Sequence, residues 1–123
     1  MSNTKHTITD AEYQIMKILW QKGEPMAVSE VMAELSGNDW TPSTVSTFLQ
    51  RLLKKGVLSC QKKGKTNLYY PVLCENEYEL SETESFLSKL YQGSVKNMVA
   101  ALYENKKLSK EDLSDLKKMF DLE

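Results

Sequence analysis

The sequence predicts a mainly α fold with one small β-hairpin: three helices closed by the hairpin, then a second run of three helices. Three observations carry this prediction. Apolar residues recur at helical spacing in three stretches between Ala11 and Leu53. The period falls to two over Leu58 to Val72, on either side of Gly64. Helical spacing returns between Phe86 and Phe120. A chain of 123 residues has room for one ordinary domain, or for a small domain with an appendage.

Residues 1–8 are polar up to Ile8. Thr9, Asp10, Ala11 and Glu12 then have the capping-box form, in which the Thr9 hydroxyl serves one orphan N–H and the Glu12 carboxylate reaches back to another. The helix they open runs to about Lys22. Its stripe of Ala11, Ile15, Ile18 and Leu19, widened by Tyr13, Met16 and Trp20, predicts deep packing. Gly23, with Pro25 two residues on, stops it. Val28, Val31, Met32 and Leu35 give a short second helix ending near Ser36 and Gly37. Asn38, Asp39 and Trp40 lead into the third helix.

Thr41 caps that third helix and Pro42 fits its first position, where a missing N–H costs nothing. Val45, Phe48, Leu49, Leu52 and Leu53 form the side to be buried. The opposite face holds Ser43, Ser46, Thr47, Gln50, Arg51 and Lys54, with no carboxylate to give the usual i,i+4 support. Hydroxyls, an amide and cations suit a phosphate-lined groove; they also suit a plain polar surface. Three helices with a tight connection before the last is the helix-turn-helix organisation.

Gly56 ends the third helix. Leu58, Cys60, Leu68, Tyr70 and Val72 are assigned to one face of a hairpin, and Ser59, Gln61, Lys62, Asn67 and Tyr69 to the other. Lys63, Gly64 and Lys65 supply the turn. A hairpin directly after such a helix makes a winged helix. The lysines at its tip would lie near a neighbouring phosphate or the minor groove.

Charge supports the same reading. Net charge is only −1, yet six of the 16 basic residues and none of the 17 acidic ones fall between Trp40 and Cys74. The field around that segment favours a polyanion. Double-stranded DNA is the partner this predicts. Thr44, Ser46, Thr47 and Arg51 are the groove-facing candidates, with Gln50 beside them, and Thr41, Ser43, Lys54, Lys62, Lys63 and Lys65 are the candidates for phosphates. The alternative is a winged-helix module that docks an acidic protein without reading DNA sequence.

Other functions find little support. Cys60 and Cys74 are fourteen residues apart, and His6 is the single histidine, so no metal centre or Cys/His pair is expected. Without a glycine-rich phosphate loop or paired carboxylates near a nucleophile, neither an enzyme nor a cofactor is predicted. The longest apolar runs are far short of a membrane span and no signal peptide is recognisable, so the cytoplasm is expected.

Pro71 and the acidic group Glu75, Glu77 and Glu79 mark a boundary between a domain over 1–74 and another over 75–123. In the second, Phe86, Leu87, Leu90 and Tyr91 form a stripe interrupted by Gly93. Val95, Met98, Val99 and Leu102 form the next, widened by Ala100, Ala101 and Tyr103. Ser109 caps a last helix with Asp112 at its third position and Leu113, Leu116 and Phe120 along one side. These roughly 45 residues are too few to bury a stable core alone. Two arrangements meet that need. Either two copies pack these helices together as a two-fold dimer, which is the more economical, or the helices fold back on the same chain's first domain.

The motifs resemble those of the BlaI/MecI-type winged-helix repressors of Gram-positive bacteria over nearly the whole chain. The run from Ala11 to Trp20 is similar to the family's Ala-Glu-Trp-Glu-Val-Met start, with Tyr13 where Trp is usual. Trp40 to Thr47, followed by Arg51, Leu52, Lys54, Lys55 and Gly56, resembles its recognition-helix motif. Leu90, Tyr91 and Gly93, then Leu108 and Ser109, are similar to its dimerisation half. The resemblance implies a homodimer on a dyad-symmetric operator that represses resistance genes and often its own gene. It also implies relief of repression in some members when a membrane sensor of β-lactams leads to proteolysis in the dimerisation helices. Two departures stand out. Ser43 and Ser46 occupy positions where the family commonly has basic residues, and Ala101 and Leu102 match the Asn-Phe bond of the cleaved members. The Cys-x-Cys motifs of a copper-responsive branch have no counterpart after Cys74.

Overall fold

The computed structural model describes residues 7–37 and 39–122. Its elements are α1 (Asp10–Lys22), α2 (Val28–Glu34), α3 (Pro42–Lys54), β1 (Leu58–Lys63), β2 (Thr66–Pro71), α4 (Glu75–Tyr91), α5 (Val95–Glu104) and α6 (Lys110–Met119). The chain divides into two compact units, Met1–Tyr78 and Glu79–Glu123. Among the described residues no helix is long and apolar enough to cross a membrane.

In the first unit the predicted caps form. The Thr9 hydroxyl accepts from the Glu12 N–H at 3.1 Å, and Glu12 Oε1 accepts from the Thr9 N–H at 2.9 Å. Gly23 closes α1 at φ 73°, a left-handed value that a residue without Cβ adopts at little cost. At α2 only half a box is made: Glu30 accepts from the Ala27 N–H, since Ala27 has no hydroxyl to return the bond. The Thr41 hydroxyl caps α3 by accepting from the Thr44 N–H at 3.1 Å.

The core draws Ile15, Met16 and Leu19 from α1, Met26 from the connection after it and Val31 from α2. Val45, Leu49 and Leu52 come from α3, and Val57, Leu58 and Tyr69 close it from the hairpin side. All of these are buried, so the three stripes read from the sequence meet in one place. Tyr69 also bridges backbone to backbone with Met26, which ties β2 to the connection between α1 and α2. The first turn of α4 belongs to this unit as well. Tyr78 is buried against Tyr13 and Trp20, with ring centroids 5.8 Å from each, and Lys17 pairs with Glu75 at 2.9 Å.

The second strand of the hairpin has the opposite phase from the one expected. Leu58 faces Pro71, Ser59 faces Tyr70, Cys60 faces Tyr69 and Gln61 faces Leu68. Directly opposed residues share a face, so Tyr69 joins Leu58 and Cys60 inside, while Tyr70 and Leu68 share the other face with Ser59 and Gln61. Val72, also expected inside, is exposed. The cause is the turn. Lys63 pairs with Thr66 across two residues only, Gly64 and Lys65, rather than across a three-residue loop. A positive φ of 66° at Gly64 suits the first central position of a type II′ turn. Both cysteines are free; Cys60 is half-buried and Cys74 is exposed.

The second unit is thinly packed. Only Leu87 of its large apolar residues is buried. Phe86, Leu90, Val95, Leu102, Leu116 and Phe120 are exposed, and Tyr91, Met98, Val99 and Leu113 are half-buried. Ser109 and Asp112 make the predicted reciprocal cap at the start of α6.

Candidate nucleic-acid interface

The buried side of α3 fixes which side is presented to solvent. With Val45, Leu49 and Leu52 in the core, Thr41, Ser43, Thr47, Gln50, Arg51 and Lys54 are exposed, and Thr44 and Ser46 are half-buried. Two turns of hydroxyl chemistry open this face, and their protons are not equally free. Thr47 donates its hydroxyl to the Ser43 carbonyl at 3.0 Å, which leaves its oxygen as an acceptor. Thr41 and Thr44 share a hydroxyl contact of 3.1 Å in addition to the cap. Ser43 and Ser46 make no side-chain hydrogen bond among the described residues, so each keeps a donor.

The cations divide in the same way. The Arg51 guanidinium lies 5.9 Å from the centre of the Phe48 ring, itself edge-on to Trp40 at 5.1 Å. That contact braces the guanidinium of an arginine that stays exposed. Arg51, Lys54, Lys62, Lys63 and Lys65 make no ion pair among the described residues. The last three stand at the exposed end of the hairpin.

Lys55, the sixth cation of the acid-free segment, is held elsewhere. Its ammonium donates to Glu12 Oε1 at 2.5 Å, joining the C-terminal end of α3 to the N-terminal end of α1. Glu12 is 1 % exposed, and its Oε2 has no hydrogen-bond partner among the described residues. Burial alone would push the Glu12 carboxyl up. The hydrogen bond from Lys55, the Thr9 backbone N–H and the Lys55 charge outweigh burial and hold it below its ordinary 4.5.

Sequence reading missed two features. It saw Glu12 only as a cap, because nothing in the local pattern shows that Lys55, 43 positions away, descends onto it. It placed Tyr69 on the polar face, whereas the Tyr69 hydroxyl accepts from Gln50 Nε2 at 3.0 Å and links the hairpin to the exposed side of α3. A signal for the second existed in the Gly-Lys pair at 64–65, which sets the strand phase. Among the described residues no cluster of histidine, cysteine or carboxylates could hold a metal ion.

Comparison with known proteins follows the same outline. The family model described as penicillinase repressor matches residues 8–121. A penicillinase repressor from Bacillus licheniformis is 39 % identical over 110 residues, covering 89 % of this chain and 85 % of that protein. The methicillin resistance regulatory protein MecI of Staphylococcus aureus is 29 % identical over 117 residues, 95 % of each chain. The solution structure of monomeric Bacillus licheniformis BlaI in complex with the blaP half-operator aligns with a TM-score of 0.51 at 38 % identity, over 61 % of this chain and 92 % of that one.

Proposed function

The chain belongs to the penicillinase repressor family and is a DNA-binding repressor, and we propose that it works as a homodimer on a dyad-symmetric operator. The observation that carries this reading is the exposed face of α3. It gathers unpaired donors and cations beside a lysine-tipped hairpin, in a segment without a carboxylate. In this reading residues 1–74 are the reading head. Arg51, Thr44, Ser46, Thr47 and Gln50 face base edges, while Thr41, Ser43, Lys54, Lys62, Lys63 and Lys65 hold phosphates. The committed proton of Thr47 suits it to accept from a base amino group rather than to donate to a phosphate.

Residues 75–123 join two heads. Phe86, Leu90, Val95, Leu102, Leu116 and Phe120 are too many exposed apolar side chains for a free surface, and a second copy covers them with the half-buried Tyr91, Met98, Val99 and Leu113. Leu87 instead supports the unit from within. Linking two weak heads raises affinity through effective concentration, so loosening the dimer releases DNA without touching a base contact. A sensor-linked protease acting at Ala101 and Leu102 would use that route. Both residues lie in α5, and the Ala101 carbonyl accepts from Asn105 twice, so cleavage there requires the end of the helix to unwind. Relatives named for penicillinase and methicillin resistance support resistance genes as targets.

Footprinting the intact chain on the DNA upstream of its own gene tests the reading. Two protected half-sites related by a dyad, a whole number of helical turns apart, are expected. Absence of protection, or a single asymmetric half-site, overturns it.

A further inference from the structure

Tyr69 is fixed at three places. Its backbone exchanges hydrogen bonds of 2.8 and 2.9 Å with Met26, its ring is 2 % exposed in the core, and its hydroxyl accepts from Gln50 Nε2 at 3.0 Å. The phenol is therefore rigid, while Gln50 is exposed in the middle of the polar face of α3. A glutamine amide has two N–H donors and one carbonyl acceptor. With one N–H spent on Tyr69, one donor and Oε1 remain, and the bond holds the amide in place.

A single donor beside a single acceptor matches one base edge in the major groove. Adenine offers N7 as acceptor and N6–H as donor, whereas guanine offers two acceptors and repels a carbonyl oxygen. Resting on the DNA-binding reading above, we propose that Gln50 reads an adenine and that Tyr69 is the positioning residue that sets its amide for that base. Holding the amide in place also removes part of the ordering cost that a free glutamine bears on binding. The hairpin thus contributes to specificity from inside the core, apart from its lysines.

The test enriches preferred duplexes from a random pool with the full-length chain, wild type and variants, and reads the preference at each base pair. Wild type is expected to favour A·T at one position by about five- to a hundredfold, the range of a bidentate contact. Gln50→Ala abolishes that preference. Tyr69→Phe, which keeps the ring in the core, weakens it severalfold at the same position and leaves affinity for random DNA unchanged. The double variant matches Gln50→Ala. Should Tyr69→Phe fail to fold, Gln50→Glu decides: it removes the donor and should move the preference at that position towards cytosine.

Uniform weakening on all DNA by Tyr69→Phe, additive losses in the double variant, or a guanine at the Gln50-dependent position overturns the inference. A site indifferent to Gln50 overturns it too, with the repressor reading intact. A wild-type chain that enriches no sequence overturns the repressor reading itself.

Discussion

Replacing Lys55 by Met should destabilise the first unit strongly near neutral pH and hardly at all in acid. The substitution keeps the apolar stem but leaves Glu12, 1 % exposed, with a buried charge held by Thr9 and without its cation. Breaking a fully buried pair costs about 3–5 kcal/mol. The Lys55 side chain is 32 % exposed, so solvent already screens part of the attraction, and about 2 kcal/mol is the better figure here. For a unit of this size that corresponds to a fall in Tm of about 8–16 °C. In the intact protein the Glu12 carboxyl lies below its ordinary value, so its stabilisation is complete above about pH 4.5 and disappears as pH falls through the lowered value. Without Lys55, burial governs and the carboxyl rises above its unfolded value. Protonation then relieves the variant, and the gap from wild type closes as the pH drops below that range. Thermal unfolding followed by circular dichroism from pH 7 to pH 3, at fixed protomer concentration, measures both effects. A gap below about 0.5 kcal/mol at pH 7, or one independent of pH, would refute the role given to this pair.

Three further outcomes follow from the same structure. Arg51→Ala should weaken operator binding by about 1–3 kcal/mol with little change on random DNA, whereas Lys63→Ala should weaken both and lower the salt slope by about one unit; equal losses for both variants in a salt-titrated binding assay contradict this division. Phe86→Asp combined with Leu90→Asp should shift sedimentation from dimer to monomer and lower operator affinity without altering the thermal stability of the first unit; an unchanged sedimentation coefficient contradicts the assigned dimer face. Gly64→Ala, at φ 66°, should cost about 1–2 kcal/mol in thermal unfolding through backbone strain at the turn, and a neutral result would show that the turn relaxes freely.

The helices were legible because their signals are local. Thr9 with Glu12, Pro42 after Thr41 and the stripe from Val45 to Leu53 lie within a few residues of one another and appear in the structure as read. The hairpin was legible as a hairpin, but its phase was not read correctly. Tyr69 and Tyr70 are adjacent aromatics that satisfy either alternation equally well, so only the length of the turn decides. The acid-free segment revealed a basic face but not its division, since Lys55 looks like Lys54 until the fold sets Glu12 beside it. The bond between Gln50 and Tyr69 spans 19 positions and joins helix to strand, a distance at which residue spacing carries no signal.

The central claim is sequence-specific binding by two joined heads. Its most direct measurement is the affinity of the intact chain for duplex DNA from its own upstream region against a scrambled duplex of equal length and composition, each titrated across salt. Binding to the upstream duplex should be tighter by at least about a thousandfold at physiological salt, with affinity for both falling steeply as salt rises. Equal affinity for the two duplexes at every salt concentration would contradict it.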